Sequence, residues 1–197
     1  MKNFPCLKKV LLSFLLFIII GFVGYSQTKY SIKDNMNLTI NGTSSMHDWD
    51  MVSDKGSGDA TFLFGSDGKI SGCSSLFFTT LVKNLKSKHS GLNKNAYKAL
   101  KADKNPNISF VASQINISAG QANTYTLKCT GKLTVAGVAK ETDLLATLKL
   151  NPDRSIVVTG TKTINMVEWS VEPPSFMFGA MKTGKDITLK YDVTINK

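Results

Sequence analysis

The clearest structural signal in the sequence is Ile187-Thr188-Leu189-Lys190-Tyr191-Asp192-Val193-Thr194-Ile195. Apolar and polar residues alternate along this run, so its odd-numbered side chains share one face and its even-numbered side chains share the other. A strand with one apolar face must bury that face against another element. The run therefore predicts a β-strand whose isoleucine, leucine, tyrosine and valine side chains point into a core.

The same alternation recurs along most of the chain after Gln27. Ala60, Phe62 and Phe64 share one face of a predicted strand, and the Asp67-Gly68 pair that follows is typical of a tight hairpin turn. Such strands bury their apolar faces in a sandwich or in a closed barrel. About eight long strands joined by short turns favour an eight-stranded antiparallel barrel, whose interior holds side chains or one small ligand. The predicted fold class is all-β.

Two stretches depart from the strand pattern. Leu92–Lys101 predicts one short helix with Asn93 as its N-cap, because apolar residues recur on one face at helical spacing. The opposite face of this helix carries Lys94, Lys98 and Lys101. The second stretch, Trp169–Gly184, contains Pro173-Pro174 and then several bulky apolar residues. Because these are the two irregular connections long enough to move, we predict the mouth of the barrel between residues 85–104 and 169–184.

The amino terminus has the pattern of a secretory signal peptide. Lysines at positions 2, 8 and 9 precede an almost wholly apolar run over Val10–Val23, and Gly24-Tyr25-Ser26 is a small-x-small cleavage site. An uncleaved membrane anchor is the alternative, but the run is shorter than the roughly 20 residues that a span requires. We therefore expect residues 1–26 to direct export to the periplasm or the exterior, and residues 27–197 to form one domain.

Charge and cysteine usage fit an exported protein. The formal net charge is +10, or +7 without the three lysines of the predicted signal peptide. The lysine face of the predicted helix is then either a solvated surface or a site that docks on an anionic leaflet, at about 1 kcal/mol per basic residue. An exported compartment permits disulfides. Strand phase, however, points Cys73 outward and Cys129 inward, which argues against their pairing unless a β-bulge changes the phase.

One short segment concentrates polar chemistry beside an aromatic ring. It reads Gly42-Thr43-Ser44-Ser45-Met46-His47-Asp48-Trp49 and follows a predicted strand over residues 37–41. Indole and imidazole each combine an apolar body with a polar tip, which suits the border between an apolar interior and water. His47 and Asp48 are therefore candidates for polar contacts to a ligand head group. A catalytic pair is the alternative, but adjacent strand residues point to opposite faces and would not readily share a substrate.

The sequence lacks the spacings that catalytic and metal-binding proteins use. It has no His-x-His, no Cys-x-x-Cys, no Gly-x-Ser-x-Gly and no phosphate-binding glycine loop. We therefore predict no catalytic residues and no bound metal.

Several segments together resemble the YceI-like family of exported lipid- and polyisoprenoid-binding proteins. They are residues 42–49, Asn84-Leu85-Lys86-Ser87, residues 96–101 with 106–110, residues 131–138, and residues 173–184. The resemblance spans about residues 30 to 195. It implies an eight-stranded, lipocalin-like barrel that holds an isoprenoid chain, with no catalytic residues. We therefore expect a polyisoprenoid or quinone-like lipid as the bound partner, and neither a cofactor nor a nucleic-acid partner. The Asp48-Trp49 pair and the loop rich in Met and Phe depart from the usual family pattern, so the resemblance does not specify this chain's own ligand.

Strand phase and the irregular connection nominate the residues that would contact such a lipid. They are Trp49, Phe62, Phe64, Leu76, Phe78, Ile108, Phe110, Leu127, Trp169, Phe176, Phe178, Met181 and Tyr191. A long hydrocarbon gains about 0.8 kcal/mol per buried CH₂, so a tunnel lined by these residues needs few polar contacts. Two alternatives stay open: a barrel with a filled core that acts as a surface interaction module, and a hydrolase or isomerase that uses His47 and Asp48.

Overall fold

Antiparallel strands dominate the computed structural model, which describes residues 26–176 and 181–197, with side chains described except at 33–35, 176 and 181. The predicted signal peptide lies outside the described residues except for Ser26. The strands are β1 (Ser26–Ser44), β2 (Trp49–Ser53), β3 (Ser57–Phe64), β4 (Ile70–Leu81), β5 (Asn107–Ala119), β6 (Thr124–Val135), β7 (Val138–Leu150), β8 (Ile156–Asn165), β9 (Ser175–Phe176) and β10 (Met181–Asn196). The helix α1 covers Ser90–Ala99, and short 3-10 turns cover Val82–Asn84 and Met166–Trp169.

Eight of the strands form a closed ring. The order is β1-β3-β4-β5-β6-β7-β8-β10, and β10 pairs back with β1 over residues 31–44. The short strand β2 extends the line of β3 along β1, and β9 pairs with the start of β10. The prediction of an eight-stranded antiparallel barrel with one short helix is confirmed for the described residues, because the period-2 pattern gave every ring strand an apolar inner face.

Two pairs of adjacent strands in the ring are hydrogen-bonded over only part of their length. The β4–β5 ladder runs from Phe77↔Val111 to Leu81↔Asn107, and the β7–β8 ladder runs from Ala146↔Gly160 to Leu150↔Ile156. Beyond these pairs the strands separate, at one end of the barrel for β4–β5 and at the other end for β7–β8. The wall therefore has two seams in which adjacent strands lack a backbone ladder.

The helix differs from its prediction at both ends. It begins at Ser90 and ends at Ala99, and His89 rather than Asn93 occupies the N-cap position. Asn93 lies inside the helix, where its side-chain oxygen accepts a hydrogen bond of 2.6 Å from the Ser87 N–H. Lys101 lies past the helix end with a positive φ of 53°. Only Lys94 and Lys98 of the predicted lysine face are therefore helical.

One end of the barrel is filled by aromatic side chains. Tyr30 and Phe62 are 0% and 1% exposed, and their ring centroids lie 5.5 Å apart in a T-shaped pair. The Phe64 ring lies 6.1 Å from the Tyr30 ring, and the Arg154 guanidinium lies over the Phe64 ring at 4.6 Å. Arg154 also donates a 2.8 Å hydrogen bond to the Gly68 carbonyl, which fastens the β7–β8 turn to the β3–β4 turn. We call this end the closed end.

The outward orientation predicted for Cys73 is wrong. The β3–β4 register shifts between Thr61↔Ser75 and Phe62↔Cys73, so β4 has an extra residue at this point. A β-bulge of this kind reverses the phase of the strand. Cys73 therefore faces inward beside Phe62 and packs against the core, while Cys129 is buried as its own phase predicted. Both cysteines are free.

Candidate binding cavity

An apolar cavity of about 260 Å³ lies between the closed end and helix α1. Every strand of the ring contributes to its wall, through the inward residues that alternate along each strand. Its volume lies just below the usual range for small-molecule sites, about 300 to 1,000 Å³. Because the wall is almost wholly apolar, the cavity suits a hydrocarbon rather than a polar metabolite.

Helix α1 covers the end of the cavity opposite the closed end. Four side chains of its predicted apolar face line the cavity, namely Leu92, Ala96, Ala99 and Leu100. The helix is fastened to the preceding turn by the Tyr97 hydroxyl, which donates to the Leu85 carbonyl at 2.8 Å and also lies 3.2 Å from the Lys83 carbonyl oxygen. Since none of the helical residues is fully buried, few contacts hold α1 over the cavity.

The second irregular connection also reaches the cavity. Trp169 is buried, lines the cavity and donates its Nε1–H to the Leu133 carbonyl at 3.0 Å. Val171, Pro174 and Thr183 continue the wall beyond it. Both stretches that depart from the strand pattern therefore border the same end of the cavity, which we call the mouth end.

The polar segment 42–49 forms the turn between β1 and β2 beside this end. Ser44 Oγ accepts hydrogen bonds from the N–H groups of Met46 and His47, and it donates to the His47 carbonyl at 2.7 Å. The turn orients Trp49 so that its ring lies across Gly42 and its Nε1–H donates to the Thr43 carbonyl at 3.1 Å. The indole thus lines the cavity with its polar edge satisfied.

Eight of the thirteen nominated contact residues line the cavity. They are Trp49, Leu76, Phe78, Ile108, Phe110, Leu127, Trp169 and Tyr191. Phe62 and Phe64 face inward but belong to the filled closed end instead, because strand phase gives the direction of a side chain and not its depth along the barrel. The side chains of Phe176 and Met181, and the whole of Phe178, lie outside the described residues.

The predicted polar contacts lie on the surface. His47 and Asp48 are exposed, and neither lines the cavity. His47 Nδ1 lies 2.9 Å from the Asp48 carbonyl oxygen, a local contact within the turn. Lys94, Lys98 and Lys101 are also exposed, around the outer side of α1.

Sequence reasoning missed several residues of the wall. Met36, Leu38, Ile40 and Met51 line the cavity from β1 and β2, and Met166 lines it near the mouth end. The alternation along β1 was a usable signal for Leu38 and Ile40. Unbranched methionines adapt to irregular apolar shapes, so this part of the wall can follow a flexible ligand.

Burial controls the ionisation of the polar groups at the wall. It raises the pKa of the Cys73 thiol to about 11 and the pKa of the Tyr191 hydroxyl to about 12. It also raises the pKa of Cys129. All three groups therefore stay neutral at physiological pH. Cys129 and Tyr191 line the cavity, so neither brings a charge to it. No group of three or more metal-binding side chains occurs among the residues that the structure describes.

A closed antiparallel barrel around an apolar cavity defines a lipocalin-like binding protein. The model of the YceI-like domain matches residues 34–195, so the chain belongs to the YceI-like family. No curated protein matches the sequence. Within the described ranges, no helix is long and apolar enough to cross a membrane.

Solved structures from three bacteria share the fold. Burkholderia cenocepacia BcnA has 17% identity and a TM-score of 0.62, over 81% of this chain and 95% of its own. A polyisoprenoid binding domain from Saccharophagus degradans, implicated in plant cell wall breakdown, has 10% identity and a TM-score of 0.65, over 85% and 97%. The Campylobacter jejuni YCEI protein has 20% identity and a TM-score of 0.51, over 64% and 74%. At these identities the likeness concerns the fold.

Proposed function

We propose that the protein binds a long-chain, isoprenoid-like lipid inside the barrel and carries, stores or sequesters it. The observation that carries this proposal is the apolar cavity beneath α1, closed at one end by Tyr30, Phe62 and Phe64. Each buried CH₂ of a ligand contributes about 0.8 kcal/mol. Burial of its hydrocarbon would therefore be enough to bind a branched chain, or the chain of a quinone, without many polar contacts. The polyisoprenoid-binding domain of Saccharophagus degradans supports the choice of ligand class.

Entry is proposed at the mouth end. Helix α1 has no fully buried residue, so it can move with little loss of packing. Movement of α1 would expose Leu92, Ala96 and Leu100 to an incoming chain. His47 and Asp48 lie in the turn next to Trp49, where they would meet a head group that remains outside, and Phe176, Phe178 and Met181 would add apolar contacts from the connection.

Export and membrane contact form part of the proposal. The amino-terminal pattern supports export of residues 27–197 to the periplasm or the exterior. Lys94, Lys98 and Lys101 are exposed around the helix that covers the cavity. Anionic head groups would hold this side of the barrel against a leaflet, so that a lipid passes between membrane and cavity with little exposure to water.

A catalytic role receives less support than binding. His47 and Asp48 are both exposed, and the recorded contact of the imidazole joins it to a backbone carbonyl rather than to a carboxylate. General base catalysis needs an imidazole placed against the reacting group and oriented by a partner. The arrangement therefore favours a binding protein.

The proposal is tested by filling the cavity. Ala146 is buried and lines the cavity from β7, whereas Ala139 on the same strand is exposed. Geranylgeraniol is titrated into each protein while the fluorescence of Trp49 and Trp169 is followed, since both indoles line the cavity. We expect saturable binding by wild type and Ala139→Phe, and binding at least about tenfold weaker for a folded Ala146→Phe. Equal binding by all three proteins would refute an interior site.

A further inference from the structure

The seam between β7 and β8 has no role in the proposed function. Their pairing stops at Ala146↔Gly160, so residues 138–145 of β7 and 161–165 of β8 have no ladder between them. Tyr191 lies at the edge of the seam where the β7–β8 ladder ends. Its ring lies across Gly160, where a Cβ would overlap it, and its hydroxyl donates to the Leu145 carbonyl at 2.8 Å. Trp169 follows β8 and donates its Nε1–H to the Leu133 carbonyl on β6.

A lysine occupies an inward position in this seam. Lys162 pairs with Leu189 across the β8–β10 ladder, and directly opposite residues share one face of a sheet. Leu189 lines the cavity, as does Ile164, the next residue in phase with Lys162 on β8. Lys162 is half-buried, and its side chain makes no ion pair or hydrogen bond with any described residue. The Lys162 ammonium is therefore free to pair with an anion that enters the seam.

The outer side of the seam is polar and carries positive charge. A groove of about 480 Å³ runs across the outer wall here and is lined by Lys162, Lys128, Asp143 and Thr161 among others. Asp143 accepts a 2.7 Å hydrogen bond from the Thr130 hydroxyl, and no salt bridge joins it to either lysine. Cys129 and Leu144 line both this groove and the apolar cavity, so the two spaces adjoin at the seam.

We propose that the β7–β8 seam holds an anionic head group, a phosphate or a carboxylate, of an amphiphile whose chain lies in the cavity. Lys162 pairs with the anion, and Lys128 adds positive charge at the outer rim. Tyr191 bounds the opening and keeps the chain on the apolar side. This inference rests on the proposed function, because it requires a hydrocarbon in the barrel, and it adds the charge of the ligand and the place where its head group lies.

The test compares two probes with the same chain, geranylgeranyl phosphate and geranylgeraniol, by the fluorescence of Trp49 and Trp169. Wild type should bind the phosphate at least about tenfold more tightly than the alcohol, since a charge-assisted contact adds to the same apolar burial. Lys162→Gln and Lys162→Met should each remove this preference and leave the affinity for the alcohol unchanged. Lys162→Arg should restore most of it.

The matched control is Lys190→Gln, which removes the same charge from an exposed position on the adjacent strand β10 and should keep the preference. Inorganic phosphate alone should not perturb the indoles at concentrations where geranylgeranyl phosphate saturates. Loss of the preference in Lys190→Gln or His47→Ala, its survival in both folded Lys162 variants, or tight binding of inorganic phosphate would each overturn the seam assignment. Failure of wild type to bind even the alcohol would instead contradict the proposed function.

Discussion

Gly42 determines how the aromatic wall of the cavity is built. Its missing side chain leaves the space that the Trp49 ring occupies across the β1–β2 pair. We expect Gly42→Ala to displace the indole and to lower the free energy of unfolding by about 1–3 kcal/mol, the usual cost of overpacking. Gly91→Ala is the control, since nothing lies within 4 Å of the added Cβ in α1. Urea unfolding measures both, and an equal effect of the two changes would contradict this role of Gly42.

Buried neutral groups make the stability fall at high pH. The pKa of Cys73 rises from 9.0 to about 11 and that of Tyr191 from 10.0 to about 12. The unfolded chain therefore loses these protons first, so the contribution of each group is complete below its unfolded pKa and is lost as pH rises through the folded value.

We expect the free energy of unfolding to fall between about pH 9 and 12, and to fall less steeply in Cys73→Ala and Tyr191→Phe. Urea titrations at several pH values measure the difference between each variant and wild type, which cancels the titration of the lysines. An unchanged slope in both variants would show that neither group is held neutral by burial.

At the scale of elements, α1 acts as a movable cover in the proposed function. Tyr97→Phe removes its hydrogen bonds to the preceding turn and should cost about 1 kcal/mol. We expect geranylgeraniol to dissociate several-fold faster, measured by stopped-flow fluorescence. The control is Tyr125→Phe, which removes a hydroxyl that accepts from the Ile70 N–H near the closed end. That change should lower stability and leave the dissociation rate unchanged; faster release in both variants would argue against α1 as the cover.

The lysines around α1 give a prediction about membranes. Lipid transfer from anionic vesicles should be faster than from neutral vesicles, and salt should slow it because exposed charges are screened within about 8–10 Å. Changing Lys94, Lys98 and Lys101 together to Gln should remove the difference while bound-lipid capacity stays intact. The matched control changes Lys132, Lys140 and Lys149, which are exposed on the β6–β7 wall. Equal slowing by both triple changes would assign the effect to net charge.

The strands and the helix also show which parts of the fold could be predicted from the sequence. Alternation along 187–195 and 60–64 predicted strands and their inner faces, because a half-buried strand has a period of two. It did not predict the direction of Cys73, since one extra residue in β4 reverses the phase and leaves no mark in the pattern. The start of α1 also differs from its prediction, because Asn93 forms hydrogen bonds with Ser87 from inside the helix instead of capping it.

At the scale of the whole molecule, the barrel is divided into a filled end and a hollow end. Phase predicted that Phe62 and Phe110 both face inward, but their depths follow from the closure and stagger of all eight strands. Only the assembled ring shows that Phe62 packs on Tyr30 whereas Phe110 borders the cavity. The seam at Lys162 was invisible in the sequence for the same reason, since it depends on where the β7–β8 ladder stops.

This division makes different predictions for two similar substitutions. Phe62→Ala should lower the free energy of unfolding by about 3–5 kcal/mol and leave the affinity for geranylgeraniol unchanged. Phe110→Ala should enlarge the cavity and alter the relative affinity for bulkier and slimmer chains. Unfolding and fluorescence titrations of both variants measure the contrast. If Phe62→Ala changed ligand preference and Phe110→Ala did not, the result would contradict a ligand site at the mouth end of the barrel.

The most direct measurement is the ligand that the protein carries from its own cell. The protein is purified without detergent, extracted with organic solvent and analysed by mass spectrometry beside Ala146→Phe as the filled-cavity control. We predict a long-chain isoprenoid-like lipid in near-stoichiometric amount from wild type, and little or none from the folded control. A lipid-free extract from wild type, or equal amounts from both proteins, would contradict a lipid held in the barrel.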